Sequence, residues 1–298
     1  MTVIDLDDRT AVDRQRRRWA RRQVASRIAL YAGAVLFAFV AAFPFLWGSI
    51  TTFKQDPDLY NVDNNPFVFN RPPTLEHVRY LVRETPFPTF VRNTVFVGVC
   101  VVIITLLLAL PAAYALARMN LRWSGFMGIA IFMVYLVPPS LLFISLSRVV
   151  SELNLQDSKW ALVLIYPTIT VPVSTWLLVG FFRSIPRDLE EQAMVDGHSR
   201  LAAFARVAVP LAFPGVVAVV VFSFTLAAHE FIYALAFDAN ASQTTVSVGV
   251  PTVLIRGDVF FWQSLQAAAI MVALPIAFVF NLLLKRFVSG FTMGAVKG

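Results

Sequence analysis

Six long apolar runs alternate with polar segments along the 298-residue chain, at about 28–50, 92–117, 124–147, 160–182, 209–236 and 264–284. A helix needs roughly 20 apolar residues to cross the hydrocarbon of a bilayer. Each run reaches that length, so the pattern predicts an all-α, polytopic membrane protein with six transmembrane helices. Pro44, Pro111, Pro138, Pro139, Pro167, Pro172, Pro214 and Pro275 fall inside these runs. Within a span, proline usually kinks a helix without ending it, because neighbouring groups satisfy the freed carbonyls. The stretches "VPPS" (137–140) and "YPTITVP" (166–172) mark either bends beside a cavity or plain packing kinks.

One polar segment interrupts this pattern: "RSIPRDLEEQAMVDGHSRLAAFARVAVP", residues 183–210, between the fourth and fifth runs. Its eight charged residues between Arg183 and Arg206 would each cost about 2.5–3.5 kcal/mol at the bilayer centre, which puts the segment outside the hydrocarbon. Pro186 suits the first turn of a helix, and Asp188, Glu190 and Glu191 complement its positive end. Leu189 and Ala193 share one face at i, i+4 spacing, with Met194 beside them. Gly197, after Asp196, supplies the left-handed turn that closes a helix. Ser199 caps a second short helix, "RLAAFARV", that runs toward Pro210. A linker resting on lipid headgroups favours a basic polar face. This face is acidic, so a docking helix for a groove on a cytoplasmic partner fits it better.

Orientation follows from the basic residues. With the N-terminus inside, cytoplasmic segments hold 17 Lys and Arg against 8 outside, and the positive-inside rule then places both termini and the insert in the cytoplasm. Residues 1–27 form an arginine-rich tail and 28–298 the transmembrane domain. The outside segment at 51–91 contains six prolines and is long enough to pack as a small extracytoplasmic cap. The apolar stretch 28–50 exceeds the core of a cleaved signal peptide, typically about 7–15 residues, and reads as a retained span.

Composition agrees: the chain is 58% hydrophobic and 14% charged, with mean hydropathy +0.69, which makes lipid its solvent. The net charge of +7 does not indicate nucleic acid, because eight arginines precede the first apolar run and act as a topology signal. Cys100 is the single cysteine and reads as a small packing residue.

Several activities are excluded. No Walker A loop, G-x-x-x-x-G-K-[ST], occurs: the residues after Lys54, Lys159, Lys285 and Lys297 are Gln, Trp, Arg and Gly. His77, His198 and His229 fall in segments too far apart to form one metal site, and no Gly-x-Ser-x-Gly or His-Glu-x-x-His is present. A gradient-driven secondary transporter or channel is the alternative class. Such proteins place ionisable residues mid-membrane, and these runs carry almost none.

The insert resembles the EAA loop, the signature of permease subunits in bacterial ABC importers. Glu191-x-Ala193, Gly197, then Val207-x-Val209-Pro210 follow the pattern EAA-x3-G-x9-I-x-L-P, with Gln192 at the second position and valines at the aliphatic ones. "AAYALARM" (112–119) and "HEFIYAL" (229–235) resemble two further family segments. "FVSGFTMGAVKG" (287–298) is similar to the end of the carbohydrate-uptake branch, the maltose G-subunit (MalG) type. The resemblance implies that Leu189, Glu190, Glu191, Ala193, Met194, Asp196, Gly197 and Pro210 form a coupling site for a partner ATPase. It also implies the partners: a second, longer permease, two copies of a cytoplasmic P-loop ATPase, an extracytoplasmic solute-binding protein and membrane lipid. ATP and magnesium would be held by the ATPase, with no cofactor in this chain. A sugar or polyol is the implied solute. Aromatic and hydroxyl groups in the spans are then the pathway candidates: Tyr135, Ser140, Ser145, Thr168, Thr170, Ser174, Trp176, Thr225 and Tyr233, with His229 and Glu230 near a span end.

Overall fold

The computed structural model describes residues 6–119, 122–237, 240 and 242–295; the "VKG" end of the carbohydrate-branch signature lies outside them. The chain divides after Thr74 into two compact units.

In the first unit, α1 (Leu6–Phe53) is one helix that passes through Pro44 without ending. Its apolar part, Arg22–Phe53, is long enough to span a membrane. After α2 (Asp56–Leu59), a polar knot closes the loop. Asp58 accepts from the side chains of Asn64 and Asn70 and from the Asn70 main chain. Lys54 donates to the Asn65 carbonyl at 3.2 Å and lies 3.7 Å from Asp58. Burial alone would raise the Asp58 carboxyl, but the Asn70 bonds and Lys54 outweigh it and hold it below its ordinary value.

The second unit begins with α3 (Glu76–Arg83) and the long α4 (Phe87–Arg118), which continues through Pro111. Then follow α5 (Ser124–Tyr135), α6 (Pro139–Glu152), α7 (Lys159–Ile165) and α8 (Pro167–Ser184). The polar insert contains α9 (Asp188–Val195), α10 (Arg200–Ala203) and a π-helical turn (Phe204–Ala208). Beyond it come α11 (Val209–Leu211), α12 (Phe213–His229), α13 (Ile232–Phe237) and α14 (Val246–Leu254). A two-residue hairpin, β1 (Ile255–Arg256) and β2 (Val259–Phe260), leads to α15 (Trp262–Ala295). The core is α4 packed along α8 and α12. Gly98 lets α12 approach closely, since a Cβ there would sit 2.7 Å from the Phe224 ring.

Among the described residues, four helices are long and apolar enough to cross a membrane, or up to six if each bent pair counts as one span. The expected third run is two helices, and the expected fifth is divided among α11, α12 and α13. Ser124–Tyr135 meets Ser140–Glu152 at 90°, and Arg200–Leu211 meets Phe213–His229 at 74°. The reason for the first bend lies in local chemistry. Pro138 and Pro139 together remove two consecutive donors and force the preceding residues out of helical geometry. Single prolines at 44, 111, 172 and 275 leave their helices continuous.

Candidate functional site

The insert folds as helix, glycine turn, helix. Pro186 lies two residues ahead of α9, whose first bonds run to the Arg187 carbonyl. Gly197 takes φ +91°, in the left-handed region. Its N–H bonds the Met194 carbonyl at 3.1 Å, and the His198 N–H reaches back to Ala193 at 3.1 Å. These are the two bonds of a Schellman C-cap. Ser199 Oγ accepts from the Ala202 N–H at 3.2 Å and starts α10. Pro210, exposed in α11, has no N–H to give to the Arg206 carbonyl, and the π-helical turn sits just ahead of it. Arg206 Nη1 lies 3.3 Å from His198 Nε2.

The rotation of α9 turns one of the expected coupling residues inward. Glu190 is 5% exposed and points into the body, where it accepts from Tyr114 and Arg118. Ala193 and Met194 follow at i+3 and i+4 and are half-buried on that same side. Leu189 is 40% exposed, at the rim. The outward stripe is Asp188, Glu191, Gln192 and Val195, at i, i+3, i+4 and i+7, with Asp196 beside it. These residues line a shallow depression of about 460 Å³. Val195 is 86% exposed, and Leu201 on α10 is 74% exposed. Both are apolar side chains standing in water on a charged loop. Neither was among the residues expected from the sequence. The i, i+7 relation of Val195 to Asp188 carried the signal for Val195; nothing in the spacing of 189 and 193 revealed which side Glu190 would anchor.

The pathway candidates do not converge on one site. Tyr135, Thr168 and Glu230 line a cavity of about 290 Å³ with Val137, Pro138 and Leu226. Thr225 and His229 line a separate, largely apolar one of about 570 Å³ against α14 and α15. Trp176 lines a third of about 220 Å³ with Gly128 and Arg183. Thr170 is buried and lies 2.6 Å from Thr105, a bond between helices. Ser174 and Tyr233 are wholly buried, and Ser140 is exposed at the start of α6. Glu230 accepts from the N–H groups of Ile232, Tyr233 and Ala234 and from the Tyr166 hydroxyl at 3.0 Å. It therefore caps α13 and ties it to the α7–α8 junction.

Residues 102–292 match the family described as the binding-protein-dependent transport system inner membrane component. The chain is 36% identical over 258 residues to the sulfoquinovosyl glycerol transport system permease protein SmoH of Agrobacterium fabrum, covering 86% of this chain and 89% of that one. It is 31% identical to the trehalose/maltose transport system permease protein MalG of Thermococcus litoralis, covering 93% and 99%. It is 32% identical to the diacetylchitobiose uptake system permease protein DasC of Streptomyces coelicolor, covering 93% and 100%. In fold it is similar to a crystal structure of a bacterial ABC transporter involved in the import of the acidic polysaccharide alginate, with TM-score 0.74, 19% identity, and 88% and 97% of the two chains covered. The chain belongs to this family of multi-pass inner-membrane components: it is a permease subunit of an ABC importer and works within a complex of several subunits.

Proposed function

We propose that the chain is one of two permeases in a bacterial carbohydrate importer, with six spans in the plasma membrane, both termini in the cytoplasm, and residues 183–210 docked on an ATPase. The observation that carries the docking is the outward stripe of α9 with exposed Val195 and Leu201 beside it. An acidic stripe with an apolar end suits a groove on a P-loop ATPase that holds ATP and magnesium, two copies serving the two permeases. Closure of the ATPase pair would bias the spans between two states through differential contacts. A solute-binding protein would deliver the solute from outside. That the relatives are named for glycosides or oligosaccharides supports a carbohydrate here. Tyr135 and Thr168, beside the Pro138 break, are the pathway residues best placed to meet a sugar ring and its hydroxyls.

The test is purification of the tagged chain from native membranes in mild detergent, with its companions identified by mass spectrometry. The expected companions are a P-loop ATPase and a second permease, the ATPase being lost from Val195→Asp and Leu201→Asp. A chain that comes down alone, or an ATPase retained by both variants, would contradict the reading.

A further inference from the structure

Behind α9 lies a charge pair that the docking surface does not use. The Tyr114 hydroxyl donates to Glu190 Oε2 at 2.8 Å, and Arg118 Nε donates to Oε1 at 2.8 Å. Arg118 Nη2 donates to the Ile185 carbonyl at 2.7 Å, so the same guanidinium also fixes the chain just ahead of α9. The Arg118 and Glu190 side chains are only 7% and 6% exposed. The Tyr114 ring meets Phe182 of α8 at 5.7 Å and Phe204 of the π-helical turn at 4.7 Å. It thus touches the elements that lead into and out of the insert.

Glu190 is the one fully buried side chain of α9. The helix is therefore pinned through a charge, with half-buried Ala193 and Met194 on the same side. A surface linker has no need of a desolvated ion pair, because burying it costs as much as the attraction returns unless the geometry is held. A fully satisfied buried polar network does hold geometry. Here it joins α9 to the last turn of α4, the helix that packs along α8 and α12.

We propose that Glu190, Arg118 and Tyr114 form a rigid clamp that passes movement of the docked insert into α4. These are positioning residues for energy coupling, and the proposal rests on the ATPase-docking reading. The test uses the whole transporter, with its own ATPase and binding protein, in proteoliposomes, and reads solute moved per ATP hydrolysed. Glu190→Gln and Arg118→Met should retain the ATPase on co-purification, while solute per ATP falls roughly tenfold or more. Tyr114→Phe, which loses one hydrogen bond, should lower the ratio about two- to threefold. Single reversals, Arg118→Glu or Glu190→Arg, should uncouple fully, and the exchanged pair should regain part of the ratio. Uptake and hydrolysis falling together at an unchanged ratio would mean a merely structural role and overturn the clamp. A parental ratio in every variant, or no recovery in the exchanged pair, would do the same. Failure of the docking reading is distinguishable, since it would appear as an unaltered chain that binds no ATPase.

Discussion

Two carboxylates at helix boundaries in this charge-poor chain do different work. Among the described residues, Glu190 bonds side chains of another helix, Tyr114 and Arg118. Glu230 bonds mainly the main-chain N–H groups of the helix that follows it, and also accepts from the Tyr166 hydroxyl. The first joins two elements and is held out of water. The second starts a helix where the chain has broken. One carboxylate joins helices distant in sequence and the other caps its own neighbour, a distinction their residue type alone does not make.

The largest expected effect is at the joint. Glu190→Ala leaves Arg118 buried and unpaired, and should destabilise the purified subunit by about 3–5 kcal/mol in thermal unfolding. Glu230→Ala removes a cap and should cost about 1–2 kcal/mol by the same measurement, with Glu230→Gln recovering much of it. A reversed order of these two would mean that the cap, and not the ion pair, holds more of the fold. Gly197→Ala forces a side chain into the left-handed region and should cost about 1 kcal/mol, read from the same melting curves.

A third carboxylate, Asp58, sharpens the contrast because it ties a loop only to itself. Its folded value lies below the ordinary one, through the Asn70 bonds and Lys54 acting against burial. Its contribution is thus fully present above the ordinary aspartate value and is lost as pH falls through the depressed one. An acid titration followed by proteolysis of the 54–74 loop should show protection fading only at that low pH. Asp58→Asn should remove this acid step.

Much of the fold was written in the hydrophobic pattern, because a membrane span is a long, uniform signal. The apolar runs at 92–117, 160–182 and 264–284 fall within single helices or, for the second, one span-length helix pair. The break at 136–138 was less legible, since hydropathy does not distinguish one proline from two in succession, and the break at 212 falls between the separate prolines 210 and 214, which hydropathy also passes over. Within the insert, Gly197 and Ser199 announced their turn and cap through residue type. The rotation of α9 did not, because it is set by Arg118 and Tyr114, distant in sequence. A spacing of i, i+4 at Leu189 and Ala193 defines a face but not which way it turns. The pathway candidates were chosen by polarity, and packing scattered them: Thr170 spends its hydroxyl on Thr105, while Tyr135 reaches a cavity.

On the proposed docking, Asp188, Glu191, Gln192 and Val195 face the ATPase, while Glu190 is bonded to α4 and Met194 is half-buried. The most direct measurement is cysteine cross-linking in the assembled transporter, in a Cys100→Ser background, with Val195→Cys, Leu201→Cys and Met194→Cys each tested against the ATPase. Positions 195 and 201 should cross-link readily and position 194 should not. Cross-linking at 194 with none at 195 would mean that α9 docks by its other side, and the clamp behind it would lose its place.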